Sequence, residues 1–185
     1  MSDIIPVMPR LPAPDLEVVL SGAGGAHFSL ADEAPETFTL VVFYRGYHCP
    51  ICRTQLRELE ANLPEFEKRG VSVVAVSSDS GERAAKAKTE WNLPHLRLGY
   101  GLDLNMARRW GLYVSAGRGA TSIGVEEPAL FSEPGLFLIR PDHTVYFASV
   151  QSMPFARPHF TDILGAIDFV VAKSYPARGE VASLV

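Results

Sequence analysis

Cysteine is scarce in this sequence: Cys49 and Cys52 are the only two in 185 residues. A disulfide framework and a four-cysteine zinc site are excluded by that count alone. The five histidines, His27, His48, His95, His143 and His159, are scattered without ligand spacing, so no metal and no cofactor is expected. Long apolar runs are missing too. Nowhere do eighteen apolar residues follow one another, and residues 1–14 hold no run of signal-peptide length, so no membrane is expected as a partner and the expected location is the cytoplasm. Nor is there an excess of positive charge. Seventeen Lys and Arg against 21 Asp and Glu leave a net charge of −4, which argues against nucleic acid or an anionic surface as a partner. What remains is ordinary: 47% hydrophobic and 21% charged residues suit one globular domain that closes its core without disulfide staples. In a reducing compartment a lone cysteine pair is catalytic more often than structural.

Both cysteines fall in one stretch, Phe43-Tyr44-Arg45-Gly46-Tyr47-His48-Cys49-Pro50-Ile51-Cys52-Arg53. It follows a nearly continuous apolar run over 39–44, rich in β-branched and aromatic residues, which predicts a strand buried on both faces. Proline is favoured at the first helical position, so Pro50 makes Cys49 the predicted N-cap, with its sulfur facing the unpaired amides of the first turn. Those amides stabilise a thiolate and lower the thiol pKa below about 8.5, which makes Cys49 the predicted nucleophile and the more acidic, more accessible thiol. Cys52, Leu56, Leu59, Leu63 and Phe66 recur at spacings of four, three, four and three, marking one buried helix face. Cys52 sits on that face, behind Cys49, as suits a protected resolving thiol. Structural zinc and two inert buried thiols are the alternatives to redox chemistry.

The remainder of the chain alternates strand and helix. Four prolines, Pro6, Pro9, Pro12 and Pro14, predict an extended N-terminal arm over residues 1–15. Residues 17–20 and 26–30 read as a hairpin around a glycine loop; no Lys-Ser/Thr pair follows that would make it a phosphate loop. Pro64 is expected to kink or split the helix after Pro50, and Gly70 to end it. Residues 71–76 predict a second buried strand. Asp79-Ser80-Gly81-Glu82 resembles a capping box ahead of a helix through Trp91, and the alternation implies a parallel strand pair with a right-handed crossover. An extended segment is expected over 94–98, then a short helix capped by Asp103 and closed by Gly111. Residues 115–133 show no period and read as a loop. A hairpin over 135–148 and a helix over 158–173, with Phe160, Ile163, Leu164, Ile167, Val170 and Val171 as its apolar stripe, complete the domain, and residues 175–185 form a tail.

Strand, Cys-Pro-x-Cys helix, strand, helix, hairpin and terminal helix resemble the thioredoxin fold. Residues 16–174 are identified as a thioredoxin-like domain of the AhpC/TSA family that includes the peroxiredoxins, most specifically over 43–56 and over Pro134-Gly135-Leu136-Phe137-Leu138-Ile139-Arg140-Pro141-Asp142. The resemblance implies an α/β fold, a central mixed β-sheet flanked by helices, with an N-terminal β-hairpin extension. It also implies that Cys49, followed by Pro50, attacks a peroxide oxygen and that Cys52 resolves the sulfenic acid. The pattern is broken at three places: Gly46 stands where peroxiredoxins carry Thr or Ser, Val42 where they carry Pro, and Pro134 where they carry Arg. Arg45 or Arg53 would then supply the missing charge, and His48 could serve as a base or as a cation supporting the thiolate. Thioredoxins also carry Cys-x-x-Cys and a proline like Pro134, which implies a cis Glu133–Pro134 bond facing the pair with its backbone free for substrate. Three functions compete: a peroxidase, a thiol-disulfide oxidoreductase, and a non-enzymatic redox sensor. The expected partners are a peroxide or disulfide substrate, a thiol reductant such as thioredoxin, glutaredoxin or glutathione, and a second copy in a homodimer.

Overall fold

The computed structural model describes residues 7–22 and 24–183. In chain order it contains β1 (Glu17–Leu20), β2 (His27–Ser29), β3 (Phe38–Phe43), α1 (Pro50–Glu67), β4 (Val71–Val76), α2 (Gly81–Glu90), β5 (Leu98–Tyr100), α3 (Leu104–Arg109), β6 (Val114–Ala116), β7 (Leu130–Ser132), β8 (Gly135–Ile139), β9 (Val145–Val150) and α4 (Phe160–Lys173). Seven strands form a mixed sheet in the order β2-β1-β5-β4-β3-β8-β9, with β3, β4 and β5 parallel and the outer strands antiparallel. This is the expected mixed sheet with its N-terminal hairpin.

All six residues of β3 are buried, and their alternation divides the core in two. Leu40 and Val42 face one layer with Cys52, Leu56, Leu59 and Phe66 of α1, Ala84 and Ala87 of α2, and Ile163, Leu164 and Ile167 of α4. Val41 and Phe43 face the other, with Val18, Phe28, Trp110, Phe137 and Ile139. The strand that delivers the chain to Cys49 is thus fixed from both sides. From the described part of the arm, Arg10 N donates to Val145 O at 2.7 Å and Ala13 N to His143 O at 2.9 Å. The Arg10 guanidinium also donates to Ala177 O, joining arm and tail. Among the described residues no helix is long and apolar enough to cross a membrane.

Several local expectations are corrected. Helix α1 runs through Pro64 without a break. The proline forfeits only the bond to the Glu60 carbonyl, while Leu59 and Phe66 hold the helix in the core on either side. Ser80, not Asp79, is the N-cap of α2, its hydroxyl accepting from Arg83 N; Asp79 turns inward. Residues 94–96 are a bend, because Lys88 Nζ donates to the carbonyls of Leu93 and Leu96 and holds them in a turn, so β5 starts at Leu98. Val171 is exposed and leaves the apolar stripe of α4 to Phe160, Ile163, Leu164 and Ile167, with Val170 partly buried beside them. Residues 115–133 are not a structureless loop: β6 and β7 pair antiparallel as a two-stranded arm, which carries Glu127, Phe131 and Glu133 to the turn before Cys49.

Candidate active site

Strand β3 hands over to α1 through a tightly bonded turn. Tyr44 N donates to Val76 O at 3.0 Å, Tyr47 N to the Asp79 carboxylate at 2.7 Å, and Cys49 N to Gly46 O at 3.1 Å. Gly46 has φ +134°, and a Cβ there would lie 2.7 Å from Asp79 Oδ1. No Thr or Ser fits this backbone, which accounts for the departure at that position: a buried carboxylate bonded to the Tyr47 amide occupies the space of a side chain.

Pro50 opens α1 at its first position and Cys49 is the N-cap, as expected; Cys52 N donates to Cys49 Sγ at 3.3 Å. Both thiols are free. Accessibility does not distinguish them, because each is 0% exposed, and this corrects the expectation that Cys49 is the more open. Acidity does distinguish them. A hydrogen bond from the Cys52 thiol, the Cys52 backbone N–H and the Arg157 charge together overcome desolvation and bring the Cys49 pKa down to about 6. Burial, reinforced by the hydrogen bond to Cys49 and by its charge, pushes the Cys52 thiol well up. Cys49 is therefore the thiolate near neutral pH and Cys52 its neutral donor.

Arg157 is the residue that sequence reasoning missed. It comes from the connection between β9 and α4, and its Nη2 lies 3.8 Å from Cys49 Sγ and 3.2 Å from Cys52 Sγ. Its Nη1 bonds Gln55 Oε1 and its Nε donates to Pro154 O at 2.7 Å, so the guanidinium is braced on three sides. Residues 151–159 have no period to single out an arginine. The one legible signal was Gln55, a polar side chain on the buried face of α1 that needs a partner.

The other candidates are placed as follows. Arg45 is turned to the β6–β7 arm: its Nε lies 3.0 Å from Glu133 Oε2, its Nη2 3.4 Å from Glu127 Oε1, and its guanidinium over the Phe131 ring. The Arg45–Glu133 pair is within ion-pair distance but out of line for a hydrogen bond, since neither atom has a hydrogen-bond partner. Its charge still acts on Cys49, behind that of Arg157. His48 is fully buried, its Nδ1 3.2 Å from Arg83 Nη2 and its ring edge-on to Phe131. Burial, then the Arg45 and Arg83 charges, take its pKa down to about 4, so it is neutral near pH 7 and the cationic role is overturned. Arg53 is exposed on α1. Pro134 is buried between β7 and β8, and the cis expectation is corrected: there is no cis peptide bond among the described residues. Glu133 N donates to Tyr113 O and Gln151 N to Pro134 O, so the chain runs extended from one strand into the next with its backbone paired, not open to a substrate. Among the described residues no group of three or more His, Cys, Asp or Glu side chains could hold a metal ion.

Comparison with known proteins bears on the family and the fold. The AhpC/TSA family model matches residues 9–148. A probable 1-Cys peroxiredoxin of Syntrichia ruralis is 36% identical over 56 residues, 30% of this chain and 26% of that one. Peroxiredoxin Bcp of Xanthomonas campestris pv. campestris is 36% identical over 71 residues, 38% of this chain and 44% of that one. The matched segments therefore span less than half of either relative. Among solved structures, peroxidoxin BcpB of Mycobacterium tuberculosis superposes with a TM-score of 0.68 at 19% identity, covering 89% of this chain and 98% of that one. The reduced 2-Cys peroxiredoxin of Plasmodium vivax gives 0.70 at 16% identity, covering 97% and 92%. These two likenesses establish the shared fold.

Proposed function

The chain belongs to the AhpC/TSA family, and we propose that it is a thiol-dependent peroxidase in which Cys49 attacks the peroxide and Cys52 resolves. The observation that carries this reading is the Cys49 sulfur held at a helix N-terminus, between the Cys52 amide and the Arg157 guanidinium, with its pKa down to about 6. The Cys49 thiolate attacks one peroxide oxygen; an S–O bond forms, the O–O bond breaks, and the departing oxygen takes a proton to leave as an alcohol or water. Negative charge grows on that oxygen, and a guanidinium already fixed beside the sulfur stabilises it without reorganising. Arg157 thus supplies the charge that Pro134 cannot.

The same geometry orders the second step. While Cys49 is a thiolate, its charge and its hydrogen bond hold the Cys52 proton in place. Oxidation to a neutral sulfenic acid removes both effects and leaves Arg157, 3.2 Å from Cys52 Sγ, to favour the Cys52 thiolate. That thiolate attacks Cys49 Sγ, the S–O bond breaks, and the departing hydroxide takes up the proton that Cys52 gave up and leaves as water, closing the disulfide; an external thiol such as thioredoxin, glutaredoxin or glutathione returns both sulfurs to thiols. A reducing cytoplasm would keep this cycle running.

The test is stopped-flow oxidation of the reduced protein by hydrogen peroxide and an alkyl hydroperoxide, with the product identified by mass. A Cys49–Cys52 disulfide formed at a rate that tracks peroxide concentration supports the reading. Disulfide exchange is the second reading, favoured by two free thiols in Cys-x-x-Cys register. Rapid reduction of a protein disulfide with no reaction toward peroxide would establish it in place of the first.

A further inference from the structure

The first turns of α1 carry a feature that the two sulfurs do not use. Pro50, Arg53, Thr54, Arg57 and Glu58 line an open groove of about 600 Å³ that begins at the residue following Cys49. Arg53 and Arg57 are exposed, and among the described residues neither forms an ion pair. Glu58, the one acid in the groove, is engaged elsewhere: its Oε1 accepts from Phe160 N at 3.0 Å and its Oε2 lies 4.0 Å from His159 Nδ1.

Helix stability does not explain the two arginines. Arg53, in the first turn of α1, opposes the helix dipole, and like charges four residues apart on one face, as Arg53 and Arg57 are, repel each other. Some other cations of the chain are paired, as Arg69 is with Asp168 and Lys86 with Glu82, while Arg53 and Arg57 stand one turn apart on the same groove with its one acid turned away. An anion seated between Arg53 and Arg57 would relieve both penalties, and a carboxylate matches two guanidinium forks in shape.

We propose that this groove binds the carboxylate of a small co-substrate of the Cys49–Cys52 pair, an organic hydroperoxide or a reducing thiol that carries an acid group. The inference rests on the redox reading of the pair, and it adds a substrate class to it. Neutral peroxides react without the groove, while acid-bearing molecules gain residence next to Pro50.

The test compares acids with their methyl esters, which differ in charge at nearly constant shape. In one arm the reduced protein is oxidised by a short tertiary hydroperoxy acid or its ester; in the other, the Cys49–Cys52 disulfide is reduced by 3-mercaptopropionate or its ester. The expected acid-to-ester rate ratio in at least one arm is about ten in the wild type, falls near one in Arg53→Ala/Arg57→Ala, and is kept only in part in Arg53→Lys/Arg57→Lys, which retains the charge but not the forks. The arm that shows the ratio identifies which co-substrate the groove serves. A wild-type ratio near one in both arms, or a ratio that survives in the alanine variant, overturns the proposal. If neither hydroperoxide oxidises Cys49 while the thiol arm shows the ratio, the peroxidase reading fails and the groove stands.

Discussion

The Arg157 guanidinium lies 3.2 Å from Cys52 Sγ and 3.8 Å from Cys49 Sγ, so one cation serves both sulfurs although it is more than a hundred residues away in sequence. In the proposed peroxidase reaction it is the cation beside the reacting sulfur.

Arg157→Ala is therefore expected to slow peroxide oxidation of Cys49 by roughly a hundredfold, the usual loss for one donor aimed at developing charge. Arg157→Lys should recover only part of it, because an ammonium cannot reach Gln55, Pro154 and both sulfurs together. Stopped-flow rates of the two variants check this. Equal rates for wild type and Arg157→Ala would remove Arg157 from the mechanism.

The pH dependence follows from the depressed Cys49 pKa of about 6. The thiolate forms as pH rises through that value, so alkylation of the reduced protein should increase across pH 5–7 and level off above. Cys52, whose pKa is pushed up, should contribute nothing in that window. An inflection near the free-thiol value of about 8.5 would show that the N-cap position and Arg157 leave the thiol unactivated.

Replacing Cys52 by Ser should separate the two chemical steps. The first oxidation persists, and the Cys49 sulfenic acid, no longer captured, accumulates and is trapped by dimedone. Cys49→Ser should give no adduct at all. Mass spectrometry of the trapped protein decides the matter, and an adduct on Cys52 in the Cys49→Ser variant would exchange the roles.

Glu133→Gln should destabilise the fold, because Arg45 is left largely buried with only the more distant Glu127 as a partner. Loss of one member of a buried pair typically costs about 3 kcal/mol. Urea unfolding at pH 7 measures the loss, and a change under 1 kcal/mol would mean that water already screens the pair.

Gly46→Ala meets two obstacles at once, a φ of +134° and the Asp79 carboxylate 2.7 Å from the added Cβ. It should be among the most destabilising single changes in the turn, and it should slow Cys49 chemistry by displacing Asp79 from the Tyr47 amide. A wild-type unfolding midpoint in this variant would show that the turn has room to relax.

What the sequence determined by itself was local. A nearly continuous apolar run over 39–44 specified β3, the 3.6-residue period of Cys52, Leu56, Leu59 and Phe66 specified the buried face of α1, and Pro50 specified Cys49 as the N-cap. Each depends on neighbours within a few positions, where steric preference and apolar spacing act directly. Asp103 and Gly111 bounding α3 were legible for the same reason. Where charges meet was decided only by the tertiary structure. Arg157, Asp79, Glu127 and Glu133 reach the 44–52 segment across separations of about 30 to 110 residues, from connections with no period of their own. A guanidinium in a loop has the same sequence signature whether it meets water or sulfur. The sheet order, which stacks β3 beside β8 and brings the chain back beside Cys49 before α4, makes that choice. The burial of both thiols and the neutral state of His48 follow from the same packing, because desolvation is a property of what surrounds a side chain in space.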